Sequence, residues 1–321
     1  MSAPQSSRIM DDTEKVFLGL GECMVEMAPT GSAGHYAQGF AGDVFNTLWY
    51  AARSFGPGWR VRFISALGTD PLSDELVAFA RMAGVDCRAV LRLEGAMPGL
   101  YLIRLVEGER RFLYWRGQSA ARRMMQDPGH VARQMSAASV MYLSGITLAI
   151  LPPDHRGALI ELMGAAHADG KLVVFDPNIR PALWEDAKTM RATLTAAAGA
   201  AGLLLPSFDD EAAAFGDATP EATARRFEAA GCAMVVVKNA AAPVMALSGG
   251  RLSSYETPAL KGPVVDTTAA GDAFNAAFLA SFLRDRDIGR AVGAGQALAA
   301  SVVQGRGALV ESAVFVKGTD P

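Results

Sequence analysis

Short apolar runs alternate with helix-length segments along the second half of the chain, from about Val131 onward. The segment PPDHRGALIELMGAAHADG has the length and composition of a helix that ends near Gly170. Aliphatic and β-branched runs between helices are typical of strands covered on both faces. The pattern therefore predicts a parallel sheet between two helical layers, followed by two Ala-rich helices from about 270 to 304. The predicted strands of this half are SVMYLSG, KLVVFDPN, AGLLLPS and CAMVVVKN.

The first 120 residues follow this alternation only in part. VFLGLGE and VRFISALG are predicted to be core strands, and DVFNTLWYAARSFG and DPLSDELVAFARMAG are predicted to be helices. These four segments extend the alternating pattern toward the amino terminus.

Two further segments, GSAGHYAQGF and LYLIRLVEGERRFLYWR, do not fit the alternation. The second predicts a hairpin, with a turn at Glu107-Gly108-Glu109 between aromatic and aliphatic strands. We interpret both as a small β-sheet lid that projects from the main domain, built from insertions at about 22–40 and 88–117. The predicted fold is α/β, a three-layer doubly wound and mostly parallel sheet, over residues 15–321. Residues 1–14 are expected to be a disordered leader.

Composition excludes several classes of function. A formal charge of −3 over 321 residues does not support a nucleic-acid-binding or polybasic membrane surface. The start of the chain lacks an apolar signal core, and no apolar run is long enough to span a bilayer. The cysteines, at 23, 87 and 232, have no metal-ligand spacing, which favours a reducing, cytoplasmic compartment. The pattern GxxxxGK[ST] of P-loop proteins is also absent.

The segment DTTAAGDAF, from Asp266 to Phe274, combines a bare turn with a carboxylate. A strand-like run, GPVVD, leads into it, and a helix is expected to start near Asp272. The amino terminus of a helix binds anions through its unpaired amide groups and its partial positive charge. Asp272 is explained either as a helix cap or as a general base beside a phosphate-binding turn. The small residues before it favour the second interpretation.

This segment resembles the carboxyl-terminal signature of the ribokinase-like carbohydrate kinases, the PfkB family, whose usual pattern is D-T-x-G-A-G-D. The resemblance implies a ribokinase-like fold, with ATP and Mg²⁺ as cofactors. It implies that Asp272 is the catalytic base and that Ala269, Ala270 and Gly271 form an anion hole for the transferred phosphoryl group. Ala269 replaces a glycine, which matters only if that position needs a positive φ. By the same resemblance Thr267 and Gly271 contact the nucleotide.

GFAGDVFNTLWYAARSFG resembles the family's amino-terminal motif. The resemblance implies that Gly42, Asp43 and Asn46 bind the substrate. The alternative is a glycine-rich turn in which Asp43 caps a helix and Asn46 lies on its exposed face. The presence of both motifs in one chain favours the substrate-binding interpretation.

Three loops that follow predicted strands resemble other family segments. DPNIR implies that Arg180 neutralises phosphate charge and that Asn178 contacts the nucleotide; a surface-loop arginine is the alternative. LLLPSFDDE implies nucleotide contact by Ser207 and a water-bound Mg²⁺ near either Asp210 or Glu211. A helix cap at Ser207, with acids in the first turn, explains that segment equally well. The third loop, VVVKNAAAP, implies nucleotide contacts by Lys238, Asn239 and Ala240. The resemblance also places Gln304 near the adenine of the nucleotide.

The hairpin bears on the choice of sugar. Alternation along a strand places Tyr114 and Arg116 on one face, and a guanidinium suits a carboxylate. No acidic residue in RRFLYWRGQ could neutralise Arg116 locally. These segments resemble family members that phosphorylate the terminal hydroxyl of a keto-deoxy sugar acid, which implies substrate contacts from Tyr101, Arg104, Tyr114, Arg116 and Arg180. A neutral ketose such as fructose and a non-catalytic binding role remain as alternatives. Aromatic residues on the outer face of the small sheet predict a homo-oligomer.

Overall fold

The computed structural model describes residues 14–32, 34–106 and 109–313. The predicted leader, apart from Glu14, and residues 107 and 108 of the predicted hairpin turn lie outside these ranges. The strands are β1 Lys15–Leu20, β2 Met24–Pro29, β3 Tyr36–Ala41, β4 Trp59–Ile64, β5 Ala66–Gly68, β6 Val85–Asp86, β7 Leu91–Leu93, β8 Leu100–Val106, β9 Glu109–Trp115, β10 Val140–Ser144, β11 Leu172–Asp176, β12 Leu203–Leu204, β13 Met234–Val237, β14 Val244–Ser248 and β15 Arg251–Tyr255.

The helices alternate with these strands over most of the described chain. They are α1 Asp43–Ser54, α2 Pro71–Met82, α3 Pro128–Ser136, α4 Gly145–Ile150, α5 Pro153–Ala168, α6 Ala187–Gly199, α7 Phe208–Phe215, α8 Pro220–Ala229, α9 Ala270–Asp285 and α10 Ile288–Val302.

The main sheet has nine strands in the order β15-β14-β13-β12-β11-β10-β1-β4-β6. Its strands from β13 to β6 run parallel, and β14 and β15 add an antiparallel edge. Successive residues of β11 point to opposite faces: Val174 packs with α1 and α9, whereas Val173 and Phe175 pack with α5 and α6. Because both faces are covered, β12 and β13 are apolar at every position, and β10 and β11 are apolar except at their last residues, Ser144 and Asp176. The predicted doubly wound α/β fold is confirmed.

Two details of the sequence interpretation are wrong. VRFISALG is not one strand, because the chain leaves β4 at Ser65 and pairs next, as β5, with β7 in a separate two-stranded sheet. GPVVD is not a strand either: residues 262–266 are irregular, and Val264 and Val265 are exposed. Its apolar residues therefore do not belong to the core.

The second sheet, called the small sheet below, has four strands in the order β3-β2-β8-β9. The strands β8 and β9 are antiparallel and pair Tyr101 with Tyr114. On one face, called the inner face, Met24, Tyr101 and Ile103 pack near Ala269 at the start of α9. The small sheet therefore covers the carboxyl edge of the main sheet at that helix.

Candidate active site

The amino terminus of α9 forms a bare, strained turn at the carboxyl edge of the main sheet. The helix begins at Ala270, and its N-cap residue, Ala269, has φ +61°, a value that favours glycine. The family pattern has glycine at this position, and glycine adopts a positive φ without strain. Asp272 lies inside the first turn and not at the N-cap, so the helix-cap interpretation of Asp272 is wrong.

Two amide groups of this turn precede the first hydrogen bond of the helix. The first helical hydrogen bond runs from the Ala273 amide to the Ala269 carbonyl, so the amides of Gly271 and Asp272 precede it. The Ala270 amide already donates to the Thr267 carbonyl, over 3.2 Å. A Cβ built on Gly271 would lie 3.5 Å from the amine of Lys238, so a buried cation lies beside the turn. Helix amides and a lysine together suit a phosphate group.

Asp272 is a buried carboxylate whose position is fixed by Asn46. The Asn46 side-chain amide donates to Asp272 over 2.8 Å, and its oxygen accepts from the Gly42 amide over 3.2 Å. Burial and the neighbouring charge of Asp43 raise the pKa of Asp272 to about 8, although the bond from Asn46 opposes the shift. Asn46 itself is 5% exposed, so its placement on an outer helix face is wrong.

Asp43 occupies the first turn of α1, after the N-cap residue Gly42. A Cβ on Gly42 would come within 2.2 Å of the Glu22 carbonyl, so only glycine allows this approach. The Asp43 carboxylate accepts from the Ser144 hydroxyl and, over 3.0 Å, from the Asn178 side-chain amide. Asn178 thus contacts the residue predicted to bind the sugar, on the substrate side of the site. Burial raises the pKa of Asp43 as well.

Behind the turn, a third carboxylate, Asp176, anchors Lys238. The lysine amine donates to Asp176 over 2.7 Å and to the Asn275 oxygen over 3.2 Å. The Asn275 amide donates in turn to Asp176 over 2.6 Å and to the Tyr142 hydroxyl over 2.9 Å. Sequence reasoning missed Asn275 and Tyr142. An asparagine three residues after Asp272, inside an apolar helical run, was the available signal for the first.

Arg180 lies at the solvent side of this site. Its guanidinium donates to Asp210 over 3.0 Å and is half-exposed. Glu211, the other candidate for the metal shell, is fully buried and pairs with Arg226 of α8. Burial raises the pKa of Glu211 to about 8. The structure therefore places Asp210, and not Glu211, beside Arg180. Ser207 occupies the N-cap of α7 without a side-chain capping bond.

The remaining residues predicted to bind the nucleotide lie on loops around the same edge. Ala240 has φ +45°, so the glycine of the usual pattern has a conformational reason here too. Asn239 donates to the Pro243 carbonyl over 3.4 Å. Gln304 is exposed, and a Cβ built on Gly262 would lie 3.2 Å from its side-chain oxygen. The exposed Thr267 contributes its carbonyl to the α9 turn.

The small sheet brings aromatic and basic side chains to the site. Tyr101 donates from its hydroxyl to Glu26, and its ring lies 5.8 Å from that of Tyr114, centroid to centroid. The guanidinium of Arg116 lies 5.7 Å from the centroid of the Tyr114 ring. Burial raises the pKa of Tyr114, while the charges of Arg116 and Arg180 oppose the shift.

Two expectations about the arginines need correction. Arg104 lies on the opposite face of β8 from Tyr101 and is exposed there, because neighbouring residues of a strand alternate. It is not brought to the site. Arg116 does have an acidic partner: Glu22, which follows β1, accepts from its guanidinium. The Nε atom of Arg116 is buried without a hydrogen-bond partner.

The site thus combines a bare helix amino terminus beside a buried lysine, a buried carboxylate of raised pKa and a sheet that covers them, on a doubly wound α/β fold. This combination is the one expected of a kinase that transfers a phosphoryl group to a hydroxyl. The family model described as "pfkB family carbohydrate kinase" matches residues 20–312, and the chain belongs to that family.

Named relatives agree with this assignment. The 2-dehydro-3-deoxygluconokinase of Haemophilus influenzae is 38% identical, over 91% of this chain and 94% of the relative. The enzyme of the same name from Dickeya dadantii is 36% identical, over 93% and 97%. Among solved structures, a fructokinase with bound ATP from Xylella fastidiosa is 25% identical with a TM-score of 0.78, over 92% and 94%.

We predict that Asp272→Asn nearly abolishes phosphorylation while sugar binding stays close to that of the wild type. Asparagine has the same size but cannot accept the hydroxyl proton, and general-base assistance contributes roughly 10²–10⁴-fold to the rate. Steady-state kinetics and a sugar-binding titration measure the two effects. A kcat close to that of the wild type would show that Asp272 has only a structural role.

The raised pKa of Asp272 also predicts the pH dependence of activity. The base must be ionised to accept a proton, so kcat/KM for the sugar should rise as pH increases through the pKa of about 8 and then level off. The profile is measured at sub-saturating ATP, so that it reports the free enzyme. A flat profile from about pH 6 to 8 would contradict the assignment of Asp272 as the base.

Proposed function

We propose that this chain is an ATP- and Mg²⁺-dependent 2-dehydro-3-deoxygluconokinase, which phosphorylates 2-keto-3-deoxygluconate at its terminal hydroxyl to give 2-keto-3-deoxy-6-phosphogluconate. The observation that carries the reaction type is the buried Asp272, held by Asn46 beside the α9 turn. The relatives from Haemophilus influenzae and Dickeya dadantii support the choice of substrate.

The residues around the α9 turn fit a nucleotide phosphate and a divalent cation. The amide of Gly271 and the amine of Lys238 suit phosphate oxygens, and Arg180 can neutralise further negative charge. Asp210 offers a carboxylate at the solvent side, suited to a hydrated Mg²⁺. Ser207, Asn239, Ala240, Thr267 and Gln304, on the loops at this edge, are the further residues proposed to contact the nucleotide, whereas Asn178 contacts Asp43 on the substrate side. When bound, MgATP supplies the γ-phosphoryl group and neutralises part of its charge.

The chain's own residues position and deprotonate the acceptor hydroxyl. Asp272 accepts its proton on a carboxylate oxygen, and Asn46 holds that carboxylate in place through its side-chain amide. The raised pKa makes Asp272 a stronger base than an exposed aspartate. The amide of Gly271 lies where negative charge develops, and the small sheet excludes water that would otherwise compete as the acceptor.

A carboxylate on the sugar suits the inner face of the small sheet. Glu22 accepts a hydrogen bond from Nη2 of the Arg116 guanidinium. The buried Nε of Arg116 has no hydrogen-bond partner and can donate to a ligand oxygen. Tyr114, whose ring centroid lies 5.7 Å from the Arg116 guanidinium, adds a hydroxyl. Gly42 and Asp43 offer further contacts to sugar hydroxyls, and Tyr101 supports Tyr114 through ring packing.

The substrate assignment is tested by comparing 2-keto-3-deoxygluconate with fructose, using the wild type, Arg116→Gln and the matched control Arg104→Gln on the opposite face of β8. Loss of a charge-assisted bond should raise KM for the keto acid about 10- to 100-fold, because such a bond contributes roughly 1.5–3 kcal/mol. Any activity on fructose, which lacks the carboxylate, should change little. The control should behave like the wild type.

Arg116→Gln also leaves Glu22 buried without its cation, so Glu22→Gln with Arg116→Gln is measured alongside. A wild-type preference for fructose, or equal damage on both sugars in the double variant, would favour the neutral-ketose alternative. Sugar binding without any product from either sugar would favour a non-catalytic role.

The outer face of the small sheet is proposed as a contact between copies of this chain. Leu113 and Trp115 lie there with 44% and 60% of their surfaces exposed, an unusual exposure for large apolar side chains. We expect the wild type to be a homo-oligomer by light scattering and Trp115→Glu to have a lower mass. An unchanged mass in the variant would move the contact elsewhere.

We also assign the chain to the cytoplasm. Cys23, Cys87 and Cys232 are buried free thiols, which suits a reducing compartment. No helix within the described ranges is long and apolar enough to cross a membrane. Cell fractionation tests the assignment, and recovery in a secreted fraction would contradict it.

A further inference from the structure

Arg110 connects the small sheet to the chain that leads into the α9 turn. It lies on β9 four residues before Tyr114, and therefore on the same face of the strand. Its guanidinium donates to the carboxylate of Asp266 and, over 2.9 Å, to the hydroxyl of Thr268. Both partners belong to the segment that ends in the strained residue Ala269.

Asp266 is a junction of three parts of the molecule. It accepts from the Thr268 amide over 3.1 Å and hydroxyl over 2.7 Å, and from the Gly307 amide over 2.8 Å. Burial would raise the pKa of Asp266, but these bonds and the Arg110 charge keep it below its usual value. Asp266 is therefore ionised at neutral pH and attracts Arg110.

This junction supports a conformation that the backbone does not favour by itself. An alanine with positive φ is strained and persists where surrounding contacts hold it in place. The contacts of Asp266 with Thr268 fix the residues immediately before Ala269, and Arg110 binds both of them. Removing Arg110 would therefore loosen the α9 turn, whose amide groups follow Ala269 in the chain.

We propose that Arg110 is a positioning residue that couples closure of the small sheet over the sugar to the conformation of the α9 anion turn. This inference rests on the proposed kinase function. Tyr114 and Arg110 belong to one strand, so sugar contacts that draw Tyr114 toward the site also press Arg110 onto Asp266 and Thr268. The turn is then correctly formed when a sugar hydroxyl is present, and phosphoryl transfer to water is disfavoured.

The test measures sugar phosphate and ADP together in the wild type, Arg110→Gln, Arg110→Lys and the control Arg111→Gln. Arg111 is the adjacent residue, exposed on the opposite face of β9, so its substitution makes the same change of charge. Because that face is the proposed contact between copies, the mass of this variant is compared with that of the wild type by light scattering. For Arg110→Gln we expect kcat to fall about tenfold, as for loss of a partly exposed charged contact, with a smaller change in sugar KM. Less sugar phosphate should form per ADP.

Arg110→Lys should recover part of the lost kcat, because lysine keeps the charge but places its amine on a shorter side chain than the Nη1 atom of Arg110 that contacts Asp266 and Thr268. Arg111→Gln should match the wild type. Thermal unfolding midpoints of all variants identify any that fail to fold. If Arg110→Gln does not fold, Arg110→Lys carries the test, with a reduced yield of sugar phosphate per ADP as the expected result.

A double-mutant cycle with Asp266→Asn separates positioning from direct contact with phosphate. If Arg110 acts through Asp266, the double variant should lose little more kcat than either single variant. Additive losses would overturn the proposal in favour of direct phosphate contact. So would an Arg110→Gln variant that matches Arg111→Gln in both kcat and yield. The yield of sugar phosphate per ADP is measured with the sugar that the wild type phosphorylates. If the proposed substrate is wrong, the wild type itself fails to phosphorylate it, and this result is distinct from an effect of the Arg110 variants.

Discussion

The burial of several carboxylates at one edge of the sheet is the constraint on which the site depends. Asp176 and Asp272 are buried, Asp43 lies partly buried beside them, and Lys238 is the cation buried among them in the described part of the chain. Loss of hydration raises the pKa of Asp43 and of Asp272, and the neighbouring charges of Asp43 and Asp176 raise the pKa of Asp272 further, to about 8. Lys238 donates to Asp176. The raised pKa of Asp272 thus comes from its surroundings.

Neutral donors make this arrangement of charges stable. Asn46 donates to Asp272, Asn178 to Asp43, and Asn275 to Asp176, so each carboxylate has an amide partner. An amide orients a carboxylate and leaves its negative charge in place, whereas an arginine would neutralise that charge. The amino termini of α1 and α9 point to the same region and add partial positive charge. The same region therefore combines amide-bound carboxylates with two helix termini of the kind that suit anions.

Backbone strain is concentrated at the same edge. Four non-glycine residues in the described ranges have positive φ, and three of them, Asn178, Ala240 and Ala269, lie in loops of the proposed site. Such residues persist where surrounding contacts determine their conformation, and they cluster at functional sites. The contacts around Asp266 act in this way for Ala269. Through Arg110, the contacts around Asp266 also connect the α9 turn to strand β9 of the small sheet.

The sequence by itself determined the doubly wound fold, because its central strands are nearly continuous apolar runs that alternate with helical segments, and it located Asp272 and its turn through residues adjacent in the chain. It did not reveal the ion pairs of Arg116 with Glu22 and of Arg110 with Asp266, whose partners are 94 and 156 residues apart. It also could not exclude Glu211 from the metal shell or Arg104 from the sugar side. Local pattern encodes periodicity and turns, whereas the partner of a charge depends on which distant elements pack together. Only the tertiary structure decided those partners.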